Sequence, residues 1–572
     1  MEVKMSKHYY HLAEICKCFL LLILSIALFS CATKTSMVLD ARFQKDLDKT
    51  PIPIPEETEP GEFWDHLYNK SFRHLYRMID IPAWSRSFGY KAGIIDEKQA
   101  ENVNAWDEVP DSTWFTNRIG KFQLSVDEIK TGAKSKPGPD ISKSWQVIQG
   151  KSNGVTAGFT IKDVRGDMYF VKFDPPKLQE IASAAEIISS LILHSAGYNV
   201  PAYYALSVPL DIFILSNQAK IKGKYGVKRK MTDNDLKSIL KNIETDDQGL
   251  ARVSASLALE GHPIGPFLYE GTRKDDINDK IAHQHRRELR GYSVFGAWLN
   301  NSDLRFQNTL DMYIGKPGKG YVQHNMLDFG TSLGAAGNSG KTLNTGYEAL
   351  LDYSEIGKNL ASLGFREPYW MNVKKSEFSS VGIFESDIFD PLRWRTQYNN
   401  LAFDLMTDRD AFWAAKIIMK FHDEFVTAIV KEAKYSNPKA EVYMIETLKQ
   451  RRDKIGKAWF KRTTPLDDFS LQKRDNKWVL HFIDLAVKYN LALSKDRTYD
   501  THINEKSNKL RVDPEGNGSL IINEMSGNEL NQPITINIQF NVKHRGEKIG
   551  KGVITSVVCQ KSDCVISGLK RS

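Results

Sequence analysis

Three polar side chains near the middle of the chain constrain its fold most strongly. Asp303 is followed five residues later by Asn308, and Asp328 begins the tripeptide Asp-Phe-Gly directly after an apolar, strand-like segment. Asp303 is suited to position or deprotonate a hydroxyl group, while Asn308 and Asp328 are expected to converge on Mg²⁺ at a nucleotide's phosphates. Mg²⁺ prefers oxygen ligands and keeps several waters, so two side chains suffice. The pattern therefore indicates phosphoryl transfer.

Two charged residues upstream extend this pattern. Lys172 interrupts the apolar strand 169–173, and Glu186 lies fourteen residues later within a predicted helix. In this order, the five polar residues resemble those of the protein-kinase-like superfamily. The details are most similar to its atypical branch, the HipA-like, spore-coat and phosphoinositide-type kinases. The resemblance covers about residues 145–465.

The resemblance implies a role for each of these five residues. Lys172 would contact the phosphates of ATP, and Glu186 would hold Lys172 in place. Asp303 would act as the catalytic base, and Asn308 and Asp328 would bind Mg²⁺. The acceptor of the phosphoryl group is not implied, and protein, lipid and sugar all stay open.

The chain departs from the family in two places. Asn301 and Ser302 stand where protein kinases have His-Arg before the catalytic acid. The glycines at 150, 154 and 158 are four residues apart and do not form G-x-G-x-x-G. Contact with the phosphates is therefore expected from backbone amides and from a short set of residues: Ser152, Asn153, Gly154, Thr156 and Gly158.

Structural alternatives exist for each part of the pattern. Lys172 could be exposed on an edge strand, Glu186 could lie on the polar edge of its helix, and Asp303 with Asn308 could stabilise a turn. The segment 335–342 resembles a phosphate-binding loop, but no strand directly precedes it and no helix is predicted after it. We interpret the glycine-rich stretch 330–346 instead as a mobile, activation-type loop.

The N-terminal region predicts export and lipidation. Three lysines accompany an apolar run at residues 19–29, which is too short to span a bilayer but suits a signal peptide. The run ends at Cys31, in a segment similar to the bacterial lipobox. That similarity implies that Cys31 is acylated and inserted in a lipid bilayer of the envelope, in the outer membrane if the cell is Gram-negative. The alternative is a buried helix with a chance cysteine.

Two cysteines near the C-terminus are consistent with an oxidising compartment. Cys559 and Cys564 flank a predicted tight turn, so opposed positions on the hairpin would bring them close enough for a disulfide. Two free thiols are the alternative. The segment 534–542 alternates apolar and polar residues without a fault, as a half-buried strand does.

The predicted fold class is α+β, a bilobal kinase-like domain followed by an all-β sandwich. The predicted organisation comprises a signal peptide (1–30), a proline-rich tether (31–60), a tryptophan-rich layer (61–144), a kinase-like domain (145–465) with a small lobe (145–215), a basic insertion (216–250) and a large lobe (251–465), and a β-sandwich (475–572). Patterns 412–429 and 442–459 predict one amphipathic helix each. The basic run of the insertion indicates a solvated face or a preference for an anionic surface: Lys220, Lys222, Lys224, Lys228, Arg229 and Lys230.

Composition sets the outer limits of this interpretation. A chain of 572 residues with 41% hydrophobic and 26% charged residues is typical of a folded soluble protein of several domains. A net charge of +8 is too small for this length to indicate nucleic acid.

Little ATP is available outside the inner membrane, so a second hypothesis stays open. The chain could be an inactive kinase-fold lipoprotein that acts as a binding or scaffolding module.

Overall fold

The computed structural model describes most of the chain between Lys45 and Arg571. The described ranges are 45–58, 97–151, 156–222, 227–349, 352–398, 400–475, 477–503, 506–522, 533–560 and 563–571. The predictions for the apolar run at 19–29, for Cys31 and for residues 59–96 lie outside these ranges. Among the described helices, none is both long and apolar enough to cross a bilayer.

Strands and helices alternate in the first half of the described chain, helices dominate the middle, and strands fill the last hundred residues. The strands are β1 (Trp145–Lys151), β2 (Gly158–Lys162), β3 (Met168–Phe173), β4 (Tyr203–Pro209), β5 (Phe213–Lys222), β6 (Lys228–Lys230), β7 (Leu250–Leu257), β8 (His262–Gly265), β9 (Thr309–Ile314), β10 (Tyr321–Met326), β11 (Leu466–Arg474), β12 (Lys477–Asp484), β13 (Arg497–Ile503), β14 (Lys506–Leu510), β15 (Asn517–Ile522), β16 (Ile534–His544), β17 (Glu547–Gln560) and β18 (Asp563–Arg571). The helices are α1 (Val126–Thr131), α2 (Ile181–Ala196), α3 (Asp233–Leu240), α4 (Arg287–Leu299), α5 (Tyr353–Ala361), α6 (Leu401–Asp404), α7 (Asp408–Met419), α8 (Asp423–Glu432), α9 (Pro438–Arg462) and α10 (Leu485–Lys488). The predicted α+β class is confirmed.

A seven-stranded sheet in the order β4-β7-β3-β2-β1-β5-β6 forms the first layer. Neighbouring strands are antiparallel except β1 and β5, which are parallel. Alternation along β3 buries Tyr169, Val171 and Phe173 in the core on one face. The opposite face of β3 is more open and carries Met168, Phe170 and Lys172.

Several predicted boundaries differ from the structure in this region. β5 and β6 fall largely within the predicted insertion 216–250, yet both are strands of the sheet. β7 pairs with both β3 and β4, so the sheet continues past the predicted start of the large lobe at 251. The sequence pattern could not reveal this, because the partners of β7 are separated from it by about 40 to 80 residues of chain.

Helix α2 contains Glu186, as the sequence predicts, and its beginning is fixed by one buried carboxylate. Asp174 accepts hydrogen bonds from the backbone N–H groups of Glu180, Ala182 and Ser183, each at 2.9 Å. These donors would otherwise be unsatisfied at the start of the helix. The helix ends at Gly197, whose φ of 140° favours glycine. Glu186 is thereby held in the second turn.

The helical region in the middle of the chain packs around α4, α7, α8 and α9. Phe412, Trp413, Phe421 and Phe425 all lie in one buried cluster. The predicted single helix over 412–429 is wrong, because the chain breaks into α7 and α8 at residues 420–422. Bonds of the tighter i→i+3 type end α7 there, and α8 then packs against both α2 and α9.

The proline-rich segment is extended but does not behave as a free tether where it is described. The Ile52 side chain is 3% exposed, and its backbone N–H donates to Gly320 at 2.9 Å. Ile52 packs with Ile264, Tyr313 and Val322 in a small apolar cluster. These contacts make residues 45–58 part of the folded body. The flanking prolines keep the segment extended, but Ile52 can still bury its side chain.

Residues 97–144 form the irregular, tryptophan-containing layer that the sequence predicts, with α1 as its helix. Trp114 stacks on His324 with ring centroids 3.5 Å apart and is 4% exposed. Its position is that of a core residue, so it is not available as a platform for a ligand. The rest of the predicted layer, including Trp84, lies outside the described residues.

The C-terminal β domain consists of two sheets around one apolar core. Their strand orders are β11-β12-β15 and β14-β13-β16-β17-β18, and Phe482 meets Phe540 across them with centroids 5.1 Å apart. The domain begins at Leu466, before the predicted boundary at 475. Cys559 pairs with Cys564 across the β17–β18 hairpin, with Cα atoms 4.1 Å apart, and the two sulfurs are bonded.

A buried ionic network joins this β domain to the helices and to the N-terminal layer. Asp107 in the layer lies 2.7 Å from both Arg287 of α4 and Arg409 of α7, and 3.4 Å from Arg571 of β18. The Arg571 guanidinium also lies 4.5 Å from the ring of Phe412. Four separated segments are thus held by one carboxylate.

Candidate active site

The first part of the site is an ion pair between strand β3 and helix α2. Lys172 Nζ lies 2.6 Å from Glu186 Oε1, and Ser254 Oγ donates to Glu186 Oε2 at 3.0 Å. Glu186 is 2% exposed. β3 lies between β2 and β7, so Lys172 is not on an edge strand. The structural alternatives for both residues are therefore excluded.

The second part is Asp328, which follows β10. Asp328 Oδ1 lies 2.9 Å from Lys172 Nζ, and the Asp328 side chain keeps 44% of its surface exposed. Phe329 is fully buried against Tyr203. A Cβ at Gly330 would lie 3.1 Å from Glu186 Oε1, a tighter contact than most Cβ atoms make. Asp328 and Phe329 thus contact Lys172 and Tyr203, and Gly330 lies close to Glu186.

Electrostatics keep the Lys172–Asp328 pair ionised. Burial alone would lower the pKa of Lys172, but the carboxylates of Asp328 and Glu186 outweigh it and raise that pKa well above its ordinary value. Burial would likewise raise the pKa of Asp328, but the neighbouring Lys172 lowers it. A cation and a carboxylate therefore face the open side of the sheet together.

The third part is the loop that holds Asp303. Asn308 Nδ2 donates to the backbone carbonyl of Asp303 at 2.8 Å, and the Asn308 carbonyl accepts from the N–H of Leu327 at 2.9 Å. Asn308 does stabilise a turn, as the structural alternative stated. The same two bonds also attach the Asp303 loop to the segment that leads into Asp328.

Asp303 itself is a nearly buried carboxylate. Its side chain is 13% exposed and lies 3.0 Å from Nε of Arg305. Burial raises the pKa of Asp303, and the charge of Asp328 adds to that rise, while Arg305 opposes it. A carboxylate with a raised pKa is a better proton acceptor than a free aspartate.

The segment 335–342 is structural and does not form a phosphate-binding loop. Its Lys341 is 5% exposed, and Nζ donates to the backbone carbonyl of Asn300, just before the Asp303 loop. Within the described residues no helix begins until Tyr353. A Cβ at Gly334 would lie 1.8 Å from the carbonyl oxygen of Val381. The predicted mobile loop over 330–346 is thus packed against its surroundings.

The predicted phosphate contacts are only partly described. Ser152, Asn153 and Gly154 lie outside the described residues. Thr156 is half-buried just before β2. Gly158 pairs with Lys172 across β2 and β3, and a Cβ there would lie 2.3 Å from the Val171 carbonyl oxygen, so strand pairing explains this glycine.

Two cations of the site are not among the sequence predictions. Arg305 lies two residues after Asp303, and a cation at that position was a usable signal. Lys151 ends β1, and burial together with the charge of Lys172 lowers its pKa. Nothing in the sequence pattern separates Lys151 from the other lysines of the chain.

The oxygen atoms of the site suit a hard cation. Asn308 uses its amide nitrogen on Asp303, so its amide oxygen is the atom left to act as a ligand. Asp328 offers a half-exposed carboxylate. Across the described residues there is no group of three or more His, Cys, Asp and Glu side chains placed to hold a metal. A cation here would have to complete its coordination with water and phosphate oxygens, as Mg²⁺ commonly does.

Comparison with known proteins gives only distant similarities. No protein-family model matches the chain. No curated protein matches it either. Among solved structures, the Helicobacter pylori proinflammatory kinase CtkA aligns over 54% of this chain and 93% of its own, with 12% identity and a TM-score of 0.28. The Golgi casein kinase aligns over 72% of this chain and 95% of its own, with 10% identity and a TM-score of 0.28. Scores this low do not establish a shared fold.

Proposed function

We propose that the protein is an ATP- and Mg²⁺-dependent phosphotransferase with a bilobal, kinase-like fold. The observation that carries the proposal is the contact of Lys172 with both Glu186 and Asp328, at 2.6 and 2.9 Å. These three residues are about 14 and 156 positions apart in sequence, so their meeting is a property of the fold. The Asp303–Asn308 loop supplies the remaining parts that phosphoryl transfer needs.

In this proposal each side chain has a defined task. Asp303 accepts the proton of the acceptor hydroxyl as its oxygen bonds to the γ-phosphorus, and the bond from that phosphorus to the β–γ bridging oxygen breaks, leaving ADP. Lys172 binds phosphate oxygens, and Glu186 fixes its ammonium group. Asn308 and Asp328 would hold Mg²⁺, which offsets the negative charge of the phosphates.

Anchoring of this enzyme in the bacterial envelope through an acylated Cys31 is part of the same proposal and rests on the sequence alone. Loss of fatty-acid labelling in Cys31→Ser would support it. Label that persists in that variant would contradict it.

A second candidate function is a binding or scaffolding module without turnover. It is favoured by the direct Lys172–Asp328 ion pair, because each charge is already satisfied without a nucleotide. The two candidates differ in what Mg-ATP should do to the protein.

Thermal unfolding of the full-length protein tests the choice. Mg-ATP at about 100 times its dissociation constant should stabilise an enzyme by ~2.7 kcal/mol, and ATP without Mg²⁺ clearly less. Asp328→Asn should remove the Mg²⁺-dependent part, because a neutral amide is a poorer ligand for a hard cation. Asp247→Asn, at an exposed position, is the matched control.

Asp303→Ala separates binding from chemistry. It should keep the Mg-ATP shift and lose phosphate transfer, because Asp303 acts only on the acceptor hydroxyl. If wild type and Asp328→Asn melt identically with and without Mg-ATP, the assignment of the nucleotide site is wrong. The scaffolding function then replaces the enzymatic one.

A further inference from the structure

The last two strands of the seven-stranded sheet form a ribbon with a lysine-rich face. In the antiparallel pairing of β5 with β6, Lys220 lies opposite Lys230 and Lys222 lies opposite Lys228. Directly opposed residues project from the same face of a sheet, and residues two apart on one strand share that face. The four lysines, here called the lysine face, therefore point the same way, and all four are exposed.

The lysine face is electrostatically unfavourable in isolation. Like charges directly opposite each other destabilise a strand pair. The one arginine of the ribbon is treated differently, since Arg229 lies on the other face and makes two bonds to Asp235, at 2.6 and 2.7 Å. The fold thus pairs Arg229 with Asp235 on one face and places the four lysines, all exposed, on the other.

The orientation of the lysine face is fixed by the core. Ala219 and Ile221 alternate with Lys220 and Lys222 on β5, and both are buried, with Met231 beside them. A rotation of the ribbon would expose these apolar side chains. The core therefore fixes the face of the sheet from which the lysines project.

The same register relates the lysine face to the candidate active site. Lys220 pairs with Gln149, Gln149 with Thr160, and Thr160 with Phe170. Phe170 is two residues from Lys172 on β3, so the lysine face and Lys172 project from the same side of the sheet. β5 lies three strands from β3, or about 14 Å at the usual strand spacing.

We propose that the lysine face binds the headgroup surface of an anionic phospholipid bilayer. Lysines are compact point charges without the bidentate geometry that arginine uses to recognise single phosphates. Lysine is also depleted from the cores of protein–protein interfaces, which argues against a protein partner. Clustered lysines on one surface do match the diffuse negative potential of an anionic membrane. This proposal is independent of the nucleotide chemistry.

Vesicle binding by the full-length protein tests the proposal, with Cys31→Ser in every sample so that an acyl chain cannot contribute. The measured quantity is the ratio of partition coefficients for vesicles with about 30% phosphatidylglycerol and for pure phosphatidylcholine vesicles. Any residual apolar binding contributes to both and cancels. The combined change of the lysine face to glutamine (K220Q, K222Q, K228Q, K230Q) should lower this ratio at least about tenfold.

In a control variant with the same change in net charge, four exposed lysines elsewhere on the protein are replaced by glutamine (K316Q, K319Q, K495Q, K548Q). The ratio of partition coefficients for this variant should stay within about twofold of the parent ratio. Salt at about 0.5 M should abolish the parent's preference for anionic vesicles. The lysine-face variant should still unfold cooperatively, since all four changes lie at exposed positions. Should it fail to fold, the pair K220Q and K222Q serves in its place.

Two results would overturn the assignment. One is an unchanged ratio in the folded lysine-face variant. The other is lysine-dependent binding to soluble poly-glutamate without binding to anionic vesicles, which would assign the lysine face to an acidic polypeptide instead.

Discussion

Lys172 is held between two carboxylates, one buried and one half-exposed, so its removal has two separate effects. Lys172→Met should abolish the stabilisation by Mg-ATP, because the phosphates lose their cation. It should also lower the free energy of unfolding without nucleotide, because Glu186 loses its counter-charge. Removing one partner of a buried pair costs about 3–5 kcal/mol, and the partial exposure of the lysine favours the lower end.

Urea unfolding measures the second effect. Lys162→Met, a change on the neighbouring strand at an exposed position, is the control. Equal stability of Lys172→Met and wild type would contradict the role of Lys172 as the counter-charge of Glu186.

The raised pKa of Asp303 predicts the pH dependence of phosphate transfer. A general base must be deprotonated, so the rate should fall as pH drops through the pKa of this carboxyl. Burial places that pKa above its ordinary value of 3.8. The acidic limb of the kcat profile should therefore lie at higher pH than a free aspartate would give. Arg305→Gln should shift the limb further upward, because Arg305 stabilises the charged form.

Residues that interrupt an apolar pattern were the ones that the sequence could identify. Lys172 within a strand and Glu186 within an apolar helix are costly to bury alone, so their placement predicts a partner. Lys341 gave no such signal, and Arg305 could be identified only by its position two residues after Asp303. Lys341 fixes the Asn300 carbonyl across about 41 residues of chain, and a contact between distant segments leaves no periodicity to detect.

The disulfide of the β17–β18 hairpin should affect both the mass and the stability of the protein. Reduction of the Cys559–Cys564 disulfide should raise the intact mass by about two hydrogens, the difference between one S–S bond and two thiols. Closing so short a loop is worth about 2 kcal/mol in the chain-entropy treatment, so the Cys559→Ser, Cys564→Ser protein should unfold more easily by that amount. If both sulfurs react with a thiol reagent before reduction, the predicted disulfide is contradicted.

Elements were predictable where one local pattern determined them. β16 alternates over residues 534–542, and α2 has both its apolar run and its terminal glycine in sequence. The division of 412–429 into α7 and α8 was not visible, because both helices keep the same apolar spacing. Their separation depends on how each packs against α9. The burial of Ile52 likewise depends on Tyr313, about 261 residues away.

Across the whole molecule, the ionic network around Asp107 links stability to pH. Burial alone would raise the pKa of Asp107, but Arg287, Arg409 and Arg571 outweigh it and lower the pKa below its ordinary value of 3.8. The unfolded chain therefore binds this proton more readily than the folded one. The stabilisation is complete above about pH 4 and is lost as pH falls further.

Asp107→Asn should lower the free energy of unfolding at neutral pH by about 3–5 kcal/mol, because the buried guanidinium groups of Arg287 and Arg571 and the half-buried one of Arg409 lose a shared carboxylate. It should also flatten the loss of stability below about pH 4. Denaturant unfolding at a series of pH values measures both. Asp127→Asn, an exposed acid of α1, should leave the acid slope unchanged.

The contact between Asp107 and Arg571 also sets the order in which the chain can mature. Asp107 leaves the ribosome hundreds of residues before Arg571 does, so the nascent N-terminal layer has only part of its counter-charge during synthesis. The body therefore cannot reach its final ionic arrangement until β18 has emerged.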